Sequence, residues 1–231
     1  DSCNQPLYVF SMDVIVHDSI ALRIERDRAD WRPVTRPTGP ARRMALAGLE
    51  YEVIKPEDQA YCGGSYSLPG SRHRFRDFKR EGHGAMNMHD AVMQSCDVYF
   101  YRLAVTLGIE RLNTYLAGHG FGSPTAVDIR GESKGALPQP DGKRRRSQPW
   151  QPGETVITGI GQGAILVTPL QLATAMAGIA NRGQRPQPRL LQATEDPTTK
   201  VRTPLEPSPQ EPSGAYTPEQ FEIMVHNLTD V

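Results

Sequence analysis

Apolar residues recur most clearly over residues 88–107. There Ala91, Val92, Val98, Tyr101, Leu103 and Val105 stand at helical spacing behind Asn87, a residue suited to capping a helix. That pattern predicts one helical stretch, closed by Gly108. A second begins at Ile109, runs to Leu116 and is closed by Gly118 and Gly120. Residues 44–50, Met-Ala-Leu-Ala-Gly-Leu-Glu, predict a helix ended by Lys55-Pro56-Glu57-Asp58. Thr168 followed by Pro169 predicts a helix to Asn181, with Leu170, Ala173, Met176, Ala177 and Ala180 as its apolar face and Gly183 beyond its end. Thr217-Pro218-Glu219-Gln220 reads as a capping box opening a last helix. Residues 61–84, rich in Gly and charge, and residues 203–214, with four prolines, read as loops.

Residues 1–43 have another character. Seven arginines from Arg23 to Arg43 and the prolines Pro33, Pro37 and Pro40 interrupt any periodicity, and only Val14-Ile15-Val16 suggests a short strand. The chain therefore divides into an unassigned segment, 1–43, expected to be poorly ordered, and a structured part, 44–231.

Composition narrows the function classes. The 231 residues carry 26 basic and 26 acidic side chains, a balance that gives no global reason to expect a nucleic-acid partner. The run Lys143-Arg144-Arg145-Arg146 beside Trp150 is read as a solvated loop. No apolar run approaches the roughly 20 residues that span a bilayer, which places any membrane anchor outside these residues. Three cysteines, Cys3, Cys62 and Cys96, fit a simple disulfide framework poorly and leave room for a metal site or a free thiol.

Three constellations carry possible chemistry. Cys62, Asp77, His83 and Cys96 are all zinc-ligand types, and two thiolates, an imidazole and a carboxylate would complete a tetrahedral shell. Their spacing is not the tight Cys-x-x-Cys of a zinc finger, and the alternative is an ordinary Cys, a solvated Asp and a loop His. Ser95 and Asp97, set into an apolar helical stretch, either face a cleft with Cys96 pointing elsewhere or simply cap a helix. Gly159-Ile-Gly-Gln-Gly163 lacks the strand–helix context of a dinucleotide site and signals only a tight backbone path before a helix.

In their order these segments resemble one family. Leu68-Pro-Gly-Ser71, Arg74-Phe-Arg-Asp-Phe-Lys79, Gly82-His-Gly84, Gln94-Ser-Cys-Asp-Val-Tyr-Phe-Tyr101, Pro149-Trp-Gln-Pro-Gly-Glu-Thr155, Ile160-Gly-Gln-Gly163 and Thr168-Pro-Leu-Gln-Leu172 are similar to penicillin-binding protein 2. That family comprises the class B transpeptidases of the rod-elongation machinery. The resemblance implies the α+β fold shared with serine β-lactamases, incomplete and represented mainly by its helical part. It implies acyl transfer between peptidoglycan stem peptides ending in D-Ala-D-Ala, binding of β-lactams, membrane proteins of the elongation machinery as partners, and the periplasmic face of the inner membrane as the location. Ser95 and Asp97 take the place of the family's second catalytic motif. Cys62, Asp77, His83 and Cys96 match the ligands of one structural Zn2+, with Cys62 standing where relatives often carry Asp. A Cys62–Cys96 disulfide is the competing structure in an oxidising compartment.

The chain departs from the family at two motifs. It contains no Ser-x-x-Lys, whose place before Met44 is filled by Pro37-Thr-Gly-Pro-Ala-Arg-Arg43, and no Lys-Ser/Thr-Gly. Residues 1–43 are accordingly read as foreign to the rest, the domain as ending before its substrate-binding strand, and the chain as inactive alone. The alternative function is a non-catalytic, zinc-stabilised interaction module or pseudoenzyme.

Overall fold

A computed structural model describes residues 7–10, 40–138, 150–205 and 218–229. Its centre is a helix, α3 (Asp97–Leu107), on which Val98, Tyr99, Phe100, Tyr101, Leu103, Ala104 and Leu107 are all buried. A helix apolar around most of its circumference must be enclosed, and its neighbours enclose it. These are α1 (Pro40–Glu50), α2 (Met88–Met93), α4 (Ile109–Gly118) and α5 (Pro152–Thr158). From α1 come Met44, Ala45, Leu46 and Ala47, each fully buried. The approach of α5 is close because Gly159 follows it: a Cβ there would lie 2.5 Å from Ala104 Cβ and 2.7 Å from the Phe100 carbonyl oxygen.

Two further helices, α6 (Pro169–Ala180) and α7 (Pro218–Thr229), extend this body. The side chains of Arg182 and Glu222 pair at the surface between them. The strands are short. Two antiparallel pairs, β2 (Ala60–Cys62) with β5 (Gly84–Met86) and β3 (Ser65–Tyr66) with β4 (Phe75–Arg76), fold one inside the other. A separate antiparallel sheet has the order β1 (Leu7–Phe10), β6 (Leu191–Glu195), β7 (Arg202–Pro204), with Val9 opposite Ala193 and Ala193 opposite Pro204.

Several sequence expectations are corrected here. The single stretch over residues 88–107 is two helices, broken at residues 94–96, because Ser95 takes a left-handed backbone (φ 54°) that no α-helix continues through. Residues 61–84 are not a plain loop, since they hold parts of both hairpins. The first helix starts at Pro40 rather than Met44, since proline is tolerated in a first turn and Ala41-Arg42-Arg43 propagate it. On α6 the buried residues are Gln171, Thr174, Ala175, Gly178 and Ile179, one position round from the predicted face. The cause is Gln171, whose side-chain amide donates to the carbonyls of Ser123 (2.7 Å) and Lys134 (2.9 Å) while its oxygen accepts from the Thr168 amide (2.9 Å). Helix α5 was not foreseen, although Gln151 and Glu154 form its capping box around Pro152. Residues 202–204 pair with β6, so the predicted 203–214 loop begins later. The expected strand at Val14-Ile15-Val16, the basic run at 143–146, Cys3 and Thr217 lie outside the described residues.

Candidate functional site

The inner and outer hairpins bring four side chains to one point. Cys62 ends β2, opposite Gly84, and His83 immediately precedes β5. Asp77 follows β4, and Cys96 is the N-cap of α3. Gly64 and Gly82 hold the loops together, both at positive φ (78° and 85°): a Cβ on Gly82 would meet the Cys62 carbonyl oxygen at 2.2 Å. The alternation in Arg74-Phe75-Arg76-Asp77 then sends the cations outward, while Phe75 packs on Tyr101 at 5.9 Å between ring centroids and the Asp77 carboxyl is buried.

All four ligand atoms lie within 4.8 Å of one another. Cys62 Sγ is 3.4 Å and Cys96 Sγ 3.6 Å from Asp77 Oδ2, and His83 Nδ1 is 3.6 Å both from that oxygen and from Cys62 Sγ. With ordinary zinc bond lengths a tetrahedron has edges of about 3.3–3.6 Å for S–O, S–N and N–O pairs, and the four spacings given above lie near that range. The His83 and Asp77 side chains are 2% and 0% exposed. A carboxylate buried against two thiols needs either a cation or extra hydrogen bonds. Asp77 has two of the latter, from the amides of Val98 (3.2 Å, to Oδ2) and Lys79 (3.0 Å, to Oδ1). Burial pushes the Cys96 thiol far up, and the neighbouring Cys62 and Asp77 add to it, so without a cation Cys96 stays protonated.

Ser95 and Asp97 flank this cluster. The half-buried Ser95 is held at φ 54°, a conformation that costs a non-glycine residue about 1–2 kcal/mol. Asp97 is buried in the first turn of α3 and accepts a hydrogen bond on Oδ2 from the Phe78 amide (3.3 Å). Burial, and then the charge of Asp77, raise its carboxyl to about 6, with the Phe78 hydrogen bond opposing. The structure thus brings together all six residues singled out in the sequence. Cys96, between the other two, points into the cluster, and the turn at Ser95 rather than a continuous helix sets its direction.

Sequence reasoning missed the groups that join the two halves of the site. The amides of Phe78 and Val98 tie hairpin to helix, and the Tyr101 hydroxyl donates to the Arg76 carbonyl at 3.2 Å. Only the inward phase of Asp77 beside an aromatic-rich strand hinted at them. A groove of about 710 Å³ opens nearby between residues 68–75 and α5, with His73, Phe75, Gly153 and Ile157 in its walls; neither Ser95 nor Asp97 lines it.

Residues 43–231 match the family model of the penicillin binding protein transpeptidase domain. The peptidoglycan D,D-transpeptidase MrdA of Acinetobacter baumannii is 46% identical over 151 residues, covering 65% of this chain and 22% of that protein. The MrdA of Salmonella typhimurium is 36% identical over 208 residues, 90% of this chain and 32% of its own length. Among solved structures, Pseudomonas aeruginosa PBP2 in complex with WCK 5153 superposes with a TM-score of 0.73 at 36% identity, over 84% of this chain and 43% of that one. Helicobacter pylori PBP2 superposes with a TM-score of 0.68 at 30% identity, over 83% and 34%. The chain spans about a fifth to a third of the length of these curated relatives. Its fold is the penicillin-binding α+β fold expected from the sequence, and the chain belongs to the penicillin-binding protein transpeptidase domain family.

Proposed function

We propose that the chain is part of a peptidoglycan D,D-transpeptidase of the penicillin-binding protein 2 type, and that it carries the second catalytic motif and its metal support without the primary nucleophile. In the reaction of such an enzyme a serine oxygen attacks the penultimate D-Ala carbonyl of a stem peptide. D-Ala leaves, and the acyl group passes to an amine on another stem. Ser95 relays protons in that sequence and Asp97 holds the motif to the hairpin. Among the described residues neither is paired with a lysine base, and the sequence contains no Ser-x-x-Lys. Cys62, Asp77, His83 and Cys96 would hold one structural zinc. It would neutralise the buried carboxylate and thiolates and fix the backbone between Ser95 and Asp97, leaving no open position for water activation.

The observation carrying this reading is that Cys62, Asp77 and His83 converge on Cys96, the residue between Ser95 and Asp97, in a chain whose residues 43–231 match the transpeptidase domain. Stem peptides, β-lactams, the periplasmic side of the inner membrane and elongation-machinery partners follow as parts of the proposal. One similar solved structure is a complex of PBP2 with MreC from Helicobacter pylori. Among the described residues no helix is long and apolar enough to cross a membrane. The stand-alone zinc module gains no support from relatives named as transpeptidases.

A longer chain joining residues 44–231 to the Ser-x-x-Lys and Lys-Ser/Thr-Gly segments of a relative tests the proposal. Fluorescent penicillin should label that chain and leave the 231-residue chain unlabelled, and Ser95→Ala in the longer chain should slow labelling by about 100-fold or more. A folded longer chain that stays unlabelled, or that labels as fast without the Ser95 hydroxyl, removes it.

A further inference from the structure

The four-residue cluster contains two thiols on different elements, one at the end of β2 and one at the N-cap of α3, both within reach of the same carboxylate oxygen: Cys62 at 3.4 Å and Cys96 at 3.6 Å from Asp77 Oδ2. Their sulfurs lie within 4.8 Å of each other, and both cysteines are free. A disulfide requires about 2.05 Å between sulfurs, so the two sulfurs must close by at most about 2.8 Å to pass from one arrangement to the other. A single metal-ligand thiol oxidises to an acid; two that share a shell have a second outcome, a bond to each other.

We infer that Cys62 and Cys96 form an oxidisable pair, a modification site in which a two-electron oxidant converts the two thiolates to a disulfide and discharges the metal. Hypochlorous acid, small and neutral enough to enter a buried site, is the oxidant class that fits. One thiolate attacks chlorine, forming S–Cl as the O–Cl bond breaks and hydroxide leaves. The second thiolate attacks that sulfur, forming S–S as chloride leaves. The two sulfurs give up two electrons and chlorine takes them, so two thiolates and HOCl become a disulfide, chloride and hydroxide. The disulfide is a poor zinc ligand, so only Asp77 and His83 remain, too few to retain the ion. The bond also draws the α3 N-cap towards β2, and Ser95 and Asp97 are its immediate neighbours. Metal release rests on the zinc reading above. Without the metal the same bond forms from two thiols, whose two protons convert the hydroxide to water and leave with the chloride as HCl.

The test uses the 231-residue chain carrying Cys3→Ser, which leaves only the two thiols in question. Zinc is measured on the reduced protein, about one equivalent of hypochlorous acid is added, and released zinc is read with a colorimetric chelator. Non-reducing digestion and mass spectrometry then read the sulfurs. The expected result is about one zinc released per chain, a loss of two hydrogens, a linked Cys62–Cys96 peptide, and full recovery with dithiothreitol and zinc. Cys62→Asp keeps a ligand but cannot form the bond. It should hold its zinc through the same dose, or take up oxygen on Cys96. Oxygen adducts on both cysteines of the Cys3→Ser chain, or unreacted thiols, overturn the inference. A reduced protein that binds no zinc but still forms the linked peptide overturns the metal reading and leaves the pair standing.

Discussion

Ser95 and Asp97 show what a single residue pays for its place. The left-handed backbone of Ser95 strains any side chain with a Cβ, whereas glycine adopts it freely. Ser95→Gly should therefore be at least as stable as Ser95→Ala, by about 0.5–1 kcal/mol in chemical denaturation, the reverse of the usual order of the two residues in and around helices. If the alanine variant proves the more stable, the strain is not there. For Asp97 the sign is set by a carboxyl raised to about 6 in the folded chain against an ordinary 3.8. The folded state holds the proton more tightly, so this group's contribution to stability is largest below pH 4 and falls as pH rises to 6. In metal-free protein, Asp97→Asn should then raise the melting temperature at pH 7.5, by an amount corresponding to roughly 1–3 kcal/mol, and make no difference near pH 3.5. Thermal melts of the two proteins at both pH values check it, and a variant that is destabilised at neutral pH contradicts it. Zinc beside Asp77 would cancel part of the rise, which is why the metal is removed first.

Among the elements, the helices with strong end signals were legible and the others were not. Asn87 caps α2, its side chain accepting from the Asp90 amide at 2.8 Å, and Thr168 caps α6, both as the sequence indicated. The face of α6 was misread because eight of its twelve residues are Leu, Ala, Met or Ile. With apolar residues nearly all round, the polar Gln171 decides which side goes in, through carbonyls contributed by residues 123 and 134. The two hairpins escaped notice because strands of two or three residues carry no periodicity. The break at Ser95 escaped because the apolar pattern runs on through it. The four residues Cys62, Asp77, His83 and Cys96 do come together, as their residue types allowed and the family resemblance implied, although the backbone path between them was not legible. The α3–α5 contact makes its own forecast. Gly159→Ala places a methyl against Ala104 and the Phe100 carbonyl, and should cost about 1–3 kcal/mol by urea denaturation while leaving zinc content unchanged. A neutral result would mean that α5 can shift.

At the scale of the whole molecule, a structural metal contributes on the order of 10 kcal/mol of apparent binding free energy in small peptides, comparable with the stability of a whole domain. A chelator should therefore lower the melting temperature of the reduced chain by ten degrees or so at least, and Cys96→Ser should abolish metal binding by elemental analysis. Full metal content in that variant would refute the ligand assignment. The four clustered residues also share a property of position: all lie within residues 62–96, whereas the sheet must bring Leu7–Phe10 to Leu191–Glu195. Closing the short segment costs less chain entropy, and contacts between near neighbours in sequence form faster. The order of assembly follows. During refolding with zinc, the Val98 amide, whose proton is held by Asp77, should become protected against solvent exchange while the amides of β6 are still exchanging freely. A nascent chain would then set its second motif before it closes its sheet.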